Sequence, residues 1–157
     1  MLKKLQVIFK TLIFSAFFIS ISQAEILKPS SDIKPAEVIG IQLAGLQKND
    51  YNFKDSGIEQ TWNFAHPNNK KVTGPLEKFK KMIKSASYQM MINHLSHTIT
   101  KIESGDNWVQ FEVIILDKEK IYHKFNWQVE KYLIDGPLKD CWLTTMVSSP
   151  IPLGSSI

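Results

Sequence analysis

The chain has 157 residues, a formal net charge of +4 and a single cysteine, Cys141. All 19 basic residues are lysines, so no guanidinium group is present for bidentate binding of phosphate or carboxylate. A single cysteine also excludes an internal disulfide, so stability must come from packing. We predict that Cys141 is buried and inert, because free cysteines are usually buried and Trp142 and Leu143 indicate a core strand.

Residues 1–24 have the pattern of a secretory signal peptide. Two lysines precede an apolar run over residues 11–21, and small residues of the kind that a signal peptidase reads end at Ala24. Lys10 keeps the run shorter than the roughly 20 residues that a membrane span needs. We expect an exported protein, periplasmic or secreted, with no membrane contact after cleavage. An uncleaved membrane anchor is the alternative.

Cleavage would change the charge of the protein. It removes Lys3, Lys4 and Lys10, so the net charge of +4 falls to +1. The basic character of the whole chain therefore belongs largely to targeting, and we predict no nucleic-acid partner. After the signal peptide, the sequence predicts a linker at 25–34, one domain at 35–148 and an irregular tail at 149–157.

Helical periodicity and helix-end signals predict three helices. The first begins at Pro35, a residue suited to the first turn, and ends near Asp50. The second begins at the capping-box pattern of residues 56–59 and stops at Pro67. The third begins at Pro75, with apolar residues on one face and lysines over much of the rest.

Gly40 and Gly45 lie inside the first predicted helix. Each costs about 1 kcal/mol relative to alanine in a helix interior. Their presence predicts close packing of this helix against another element.

After Ser85 the apolar period changes from 3.6 to 2, which predicts strands. Turn residues, including those at 104–107, 117–120 and 135–137, separate them. Three helices followed by four or five antiparallel strands give an α+β domain. The predicted strand segments lie at 88–92, 98–102, 109–115, 121–129 and 141–147.

The solvent side of one predicted strand is half apolar. It carries Trp108, Ile114 and Leu116 beside Gln110 and Glu112. Such a face indicates coverage by a loop or by a second subunit. We predict a homodimer through the sheet.

Three residues near the end of the second predicted helix are not explained by helix ends alone: Trp62, Asn63 and His66. At the end of a helix, a histidine can satisfy free carbonyls and favour the dipole. At the mouth of a pocket, it could act as a general base oriented by Asn63. Both interpretations of His66 stay open from the sequence.

His123 shares the odd-numbered face of its strand with Phe125 and Trp127, which places a titratable ring on the apolar side. Burial would lower its pKa and favour a neutral, base-competent ring. His123 is either a core histidine with a structural role or a general base. As a base, it would have Asp50 or Asp55 as its partner.

His94 and His97 are three residues apart, and in a strand such residues point to opposite faces. No zinc-binding pattern accompanies them, so we predict no metal and no cofactor.

Several segments together resemble a small family, the domain of unknown function numbered 4864. They are Pro35–Asp50, Trp62–Pro67, Gly74–Phe79, Met82–Ile83 and Cys141–Leu143, and the resemblance covers most of residues 35–148. Its members look like the nuclear-transport-factor-2-like superfamily. The resemblance implies a cystatin-like cone, in which the helices pack into the concave side of a strongly bent sheet around a possible pocket. It offers no catalytic residues to carry over.

We therefore expect a non-catalytic exported module that binds a small apolar or amphipathic ligand in the cone, or that dimerises through its sheet. The alternative is a cofactor-free enzyme of the isomerase or hydratase kind, with His123 or His66 as general base. The residues predicted to bind the ligand are Trp62, Asn63, His66, His123 and Trp127.

Overall fold

The computed structural model describes residues 25–155, so the predicted signal peptide lies outside the described residues. The predicted α+β class is confirmed, with the helices N-terminal to one antiparallel sheet. The helices are α1 (Pro35–Gln47), α2 (Ser56–Asn63), α3 (Pro67–Thr73) and α4 (Leu76–Ile83), followed by a 3₁₀ turn (Gln89–Met91). The strands are β1 (Ser96–Ser104), β2 (Trp108–Leu116), β3 (Ile121–Lys131), β4 (Trp142–Val147) and β5 (Ile151–Ser155).

The sheet has the order β1-β2-β3-β4 and curls without closing. β4 pairs with residues 127–131 of β3, and β5 pairs with residues 121–124 of the same strand. The two strands thus share one edge of β3. Between them, Ser148 exchanges two hydrogen bonds of 2.9 Å with the backbone of Asn126.

The core lies between the helices and the inner face of the sheet. Every second side chain of β2 is buried, from Val109 to Ile115, as the alternation of the sequence predicts. On β3 the buried alternation runs from His123 to Val129. The helices contribute the other side of the core, including Val38, Ile39, Leu43, Leu46, Ile58 and Phe79.

α1 and α2 touch through two glycines. A Cβ added at Gly57 would overlap the carbonyl oxygen of Gly45, so only glycine permits this backbone contact. The predicted close packing is therefore confirmed at Gly45. It is wrong at Gly40, where an added Cβ would meet nothing within 4 Å.

The prediction of three helices was wrong, because the polar segment after α2 forms a fourth helix, α3. α2 ends at Asn63, before Pro67, which was predicted to stop it. Pro67 instead opens α3, where its fixed φ suits the first turn. The start of α2 also differs from the predicted capping box. Its N-cap is Asp55, and the Ser56 hydroxyl instead donates to the backbone oxygen of Asn49 at 2.9 Å.

Two segments predicted from short patterns have other structures. The predicted strand at 88–92 is the 3₁₀ turn, because short apolar runs do not distinguish strand from helix and Met91 is buried in either case. The predicted irregular tail contains β5. Pro152 is tolerated there because β5 lies at a sheet edge.

Cys141 is buried, as predicted. Burial raises the pKa of its thiol, and the charge of Asp140 adds to this effect. A thiol held in its protonated form is a poor nucleophile, which agrees with a packing role.

Candidate functional site

A cavity of about 90 Å³ lies between the helices and the inner face of the sheet. At about 30 Å³ per water molecule in the liquid, this volume corresponds to about three waters. It is partly open to solvent. Its apolar walls include Leu46, Phe79, Met82, Met91 and Val147.

A chain of hydrogen bonds between buried side chains crosses one side of this cavity. The indole Nε1 of Trp127 donates to Thr144 Oγ1 at 3.1 Å, and the same hydroxyl donates to Gln42 Oε1 at 2.6 Å. Gln42 Nε2 donates to the carbonyl oxygen of Thr61 at 2.9 Å. A primary amide has two N–H groups and two lone pairs, so Gln42 can still bind a further polar group.

The segment that joins α2 to α3 is bound to β4 next to the cavity. Residues 64 and 66 bracket Thr144: its N–H donates to Phe64 O, and its carbonyl accepts from His66 N, both at 2.8 Å. Asn69 Nδ2 donates to the same carbonyl at 3.2 Å. α3 is thereby held against β4, and Asn69 becomes a polar lining residue of the cavity.

The cavity is uncharged. Among its lining residues, Tyr88 is the only one with a titratable side chain, and the others are apolar residues, threonines and amides. An ion would lose its hydration there without a partner of opposite charge, which is unfavourable. The arrangement therefore suits a neutral ligand with one polar group.

Of the five predicted ligand-binding residues, the structure places Trp127 in this cavity. Trp62 lies in a shallow outer groove, where the Lys70 ammonium is 4.0 Å from the centroid of its ring. Lys70 is itself partly buried in this position, and burial lowers the pKa of its ammonium group. Asn63, half-buried at the end of α2, and the two histidines do not line the cavity.

His66 was predicted to be the last residue of a helix. In the structure it is instead the N-cap of α3. Its Nδ1 accepts a 3.0 Å hydrogen bond from Asn68 N, and its ring contacts the edge of Tyr132. Burial lowers its pKa, which favours the neutral ring that accepts this bond. The geometry supports a structural role in starting α3.

His123 is buried on the inner face of β3, as predicted, but its carboxylate partner is Asp117. His123 Nε2 is 2.8 Å from Asp117 Oδ2, while Oδ1 accepts from the backbone amides of Glu119 and Ile121. Burial opposes ionisation of Asp117, yet hydrogen bonds from Ile121 and His123 outweigh it and lower the pKa. The ionised carboxylate makes Nε2 of His123 the donor.

This pair fastens the turn between β2 and β3. The Nδ1 atom of His123 is buried without a hydrogen-bond partner. The predicted partners are engaged elsewhere: Asp50 accepts from Asn49 and Asp55 N, and Asp55 forms a 2.6 Å ion pair with Lys84.

The rings of His94 and His97 meet, with Nε2 of the first 2.7 Å from Nδ1 of the second. The prediction of opposite faces was wrong because His94 lies in the irregular segment between the 3₁₀ turn and β1, outside the strand. Within residues 25–155, no three metal-ligating side chains are placed to hold a metal ion.

The sequence interpretation missed Gln42, Thr61 and Thr144 as site residues. A signal was present for Gln42, because it lies between Ile39, Leu43 and Leu46 on the buried stripe of α1. A polar residue on an apolar helix face needs a hydrogen-bonding partner inside the protein.

Among the helices of residues 25–155, none combines the length and the apolar character of a membrane span. The resemblance to the family numbered 4864 stays a prediction. No family model, curated protein or solved structure matches the chain.

Proposed function

We propose that this protein is an exported, non-catalytic module that binds a small, uncharged, amphipathic ligand in the cavity between helices and sheet. The observation that carries the proposal is the hydrogen-bond chain from Trp127 through Thr144 to Gln42. It brings polar groups to a cavity whose other walls are largely apolar. Few, well-placed polar groups in an apolar cavity are typical of ligand sites.

The volume limits the ligand. Sites for drug-sized molecules measure about 300–1,000 Å³. A cavity of about 90 Å³ instead holds a compact molecule, or the end of a larger one that extends through the opening. A hydroxyl or amide group could use the free capacity of Gln42, while its carbon chain packs against Phe79 and Met82.

Binding explains the site better than catalysis. General acid–base chemistry needs a titratable group within hydrogen-bond reach of the substrate. His123 has a carboxylate partner, but neither it nor Asp117 lines the cavity, and the same holds for His66. The enzyme alternative with a histidine as general base would therefore need a different site.

A matched set of four-carbon compounds tests the proposal. Butan-1-ol, butane, butanoate and butylammonium share a chain and differ in their polar end. NMR spectra of the Trp127 indole N–H and the Met82 methyl would report occupation of the cavity. We expect saturable shifts with butan-1-ol, weaker shifts with butane, and none with the two ions. Equal shifts with all four compounds, or none at all, would contradict the proposal.

The predicted homodimer stays a proposal, supported by the outer face of the sheet. Ile114 and Leu116 lie there half-buried, and Tyr122, opposite Leu116, is 37% exposed. Glu112 and Lys124 lie 3.5 Å apart on the same face, so a second copy related by a twofold axis could exchange these charges. Native mass spectrometry should show a dimer that Tyr122→Lys abolishes. A monomer at every concentration would contradict it.

A further inference from the structure

A pair of histidines fastens one wall of the cavity. His94 is 2% exposed, and its Nδ1 is 2.8 Å from the carbonyl oxygen of Met91. Its Nε2 is 2.7 Å from Nδ1 of His97, the second residue of β1. Met91 ends the 3₁₀ turn and, with Tyr88, lines the cavity. The ring pair thus ties this wall to the sheet.

The two hydrogen bonds determine where the protons lie. The Met91 carbonyl can only accept, so His94 Nδ1 carries a proton. The neutral His94 ring then offers the lone pair of Nε2, to which His97 donates from Nδ1. A first additional proton can bind to Nε2 of His97 and leave both bonds intact.

A second additional proton cannot be accommodated in this geometry. It would have to bind Nε2 of His94, which would leave two N–H groups and two positive rings facing each other across 2.7 Å. Burial lowers the pKa of both histidines. At His94 the hydrogen bond to Met91 opposes this effect and a charge on His97 adds to it, and the pKa is lowered overall. Movement of a charged His94 away from His97 and towards water would relieve this repulsion and break its bond to Met91.

The charged and titratable groups on the surrounding elements do not offset this second charge. Asp117, at the end of β2, is bonded to His123 of β3. Lys48, after α1, brings a positive charge, and Tyr88 in the cavity wall has no carboxylate. None of these four groups provides a free negative partner for His94.

We propose that acid opens the cavity through the His94–His97 pair, and that release of the ligand is linked to uptake of the second proton. This inference rests on the proposed binding function and describes how pH would regulate it. Because linkage is reciprocal, a bound ligand should in turn resist the second protonation.

The test uses two measurements on the same protein. The ¹³C resonance of the Met91 methyl reports the wall itself in the absence of ligand. The dissociation constant of butan-1-ol reports the cavity. Between about pH 7.5 and about pH 4.5, a range that spans histidine titration, we expect the Met91 resonance to move and binding to weaken about tenfold.

Two variants identify the groups responsible. In His97→Asn the new side-chain amide can still donate to His94, or turn its oxygen towards a protonated ring, but it does not titrate. We expect the acid effect on binding to fall below about threefold. His66→Asn is the matched control, because asparagine caps a helix equally well while a buried titratable ring is removed. It should keep the full response. Circular dichroism checks that both variants fold. If His97→Asn does not fold, His97→Gln takes its place.

The outcomes separate the two claims. If Met91 moves with acid but butan-1-ol binds at neither pH, the proposed function fails while the acid-sensitive wall stands. If butan-1-ol binds equally well at both pH values, the inference fails while the binding function stands. If His97→Asn keeps the tenfold acid effect, the pair is not the proton-sensitive element.

Discussion

The hydroxyl of Thr144 on β4 donates a 2.6 Å hydrogen bond to the side-chain oxygen of Gln42 on α1, across a sequence separation of 102 residues. Trp127 donates to the same hydroxyl. One buried threonine therefore joins the first helix, the longest strand and a strand near the C-terminus at the wall of the cavity.

Thr144→Val should destabilise the protein. The change removes the hydroxyl with little change in shape and leaves the buried groups of Gln42 and Trp127 without this partner. A buried polar group without a partner costs about 1–3 kcal/mol. Chemical denaturation should show a loss in that range. Thr145→Val is the control, because the Thr145 hydroxyl makes only a 3.4 Å contact with Gln128 O. An equal loss in both variants would contradict the role given to Thr144.

Gly57→Ala should lower the free energy of unfolding, whereas Gly40→Ala should leave it unchanged or raise it. The new methyl group at position 57 would overlap the backbone of Gly45, so one helix must shift. At position 40 there is open space, and alanine is favoured over glycine by about 1 kcal/mol in a helix. Thermal denaturation should give a lower melting temperature for the first variant and an unchanged or higher one for the second. A stable Gly57→Ala protein would show that α1 and α2 do not touch there.

Asp117→Asn should lower the free energy of unfolding at neutral pH but not in strong acid. Because folding lowers the pKa of Asp117, its ionised form stabilises the protein above the unfolded-state value of about 3.9. That contribution is lost as the pH falls through the lower pKa of the folded state. Urea denaturation across this range should show the wild-type advantage shrinking with acid. A constant difference at all pH values would mean that the charge of Asp117 is not responsible.

Removal of β5 should expose one edge of β3 at little cost in stability. All five residues of β5 are exposed, so the strand is held mainly by its backbone. In a chain that ends at Ser149, hydrogen exchange should become faster within residues 122–124 and stay slow at 127–131, which β4 still covers. The Ile121 amide should keep its protection, because it donates to Asp117 and not to β5. Faster exchange along the whole of β3 would contradict this division of its edge.

The sequence predicts the sheet better than the connections. Alternation from Val109 to Ile115 indicated the inner face of β2 because one face is buried and the other is not. α3 escaped prediction because it buries none of its residues and so has no apolar stripe. Its N-terminal signals, His66 and Pro67, were instead interpreted as the end of α2.

The pairing of His123 with Asp117 could have been derived from register. The turn at 117–120 joins β2 to β3, and Ile115 lies opposite His123. Asp117 is two residues further along the same face, so its carboxylate comes within reach of the ring. The link between Gln42 and Thr144, by contrast, depends on how α1 packs across the sheet, which no local pattern encodes.

The central claim is that the Thr144–Gln42 hydrogen bond forms part of a ligand site. The most direct test is the dissociation constant of butan-1-ol for Thr144→Val, compared with Thr145→Val and the wild type. We predict that binding weakens at least about fivefold in the first variant, the equivalent of one neutral hydrogen bond, and is unchanged in the second. Equal affinity in all three proteins would contradict the account.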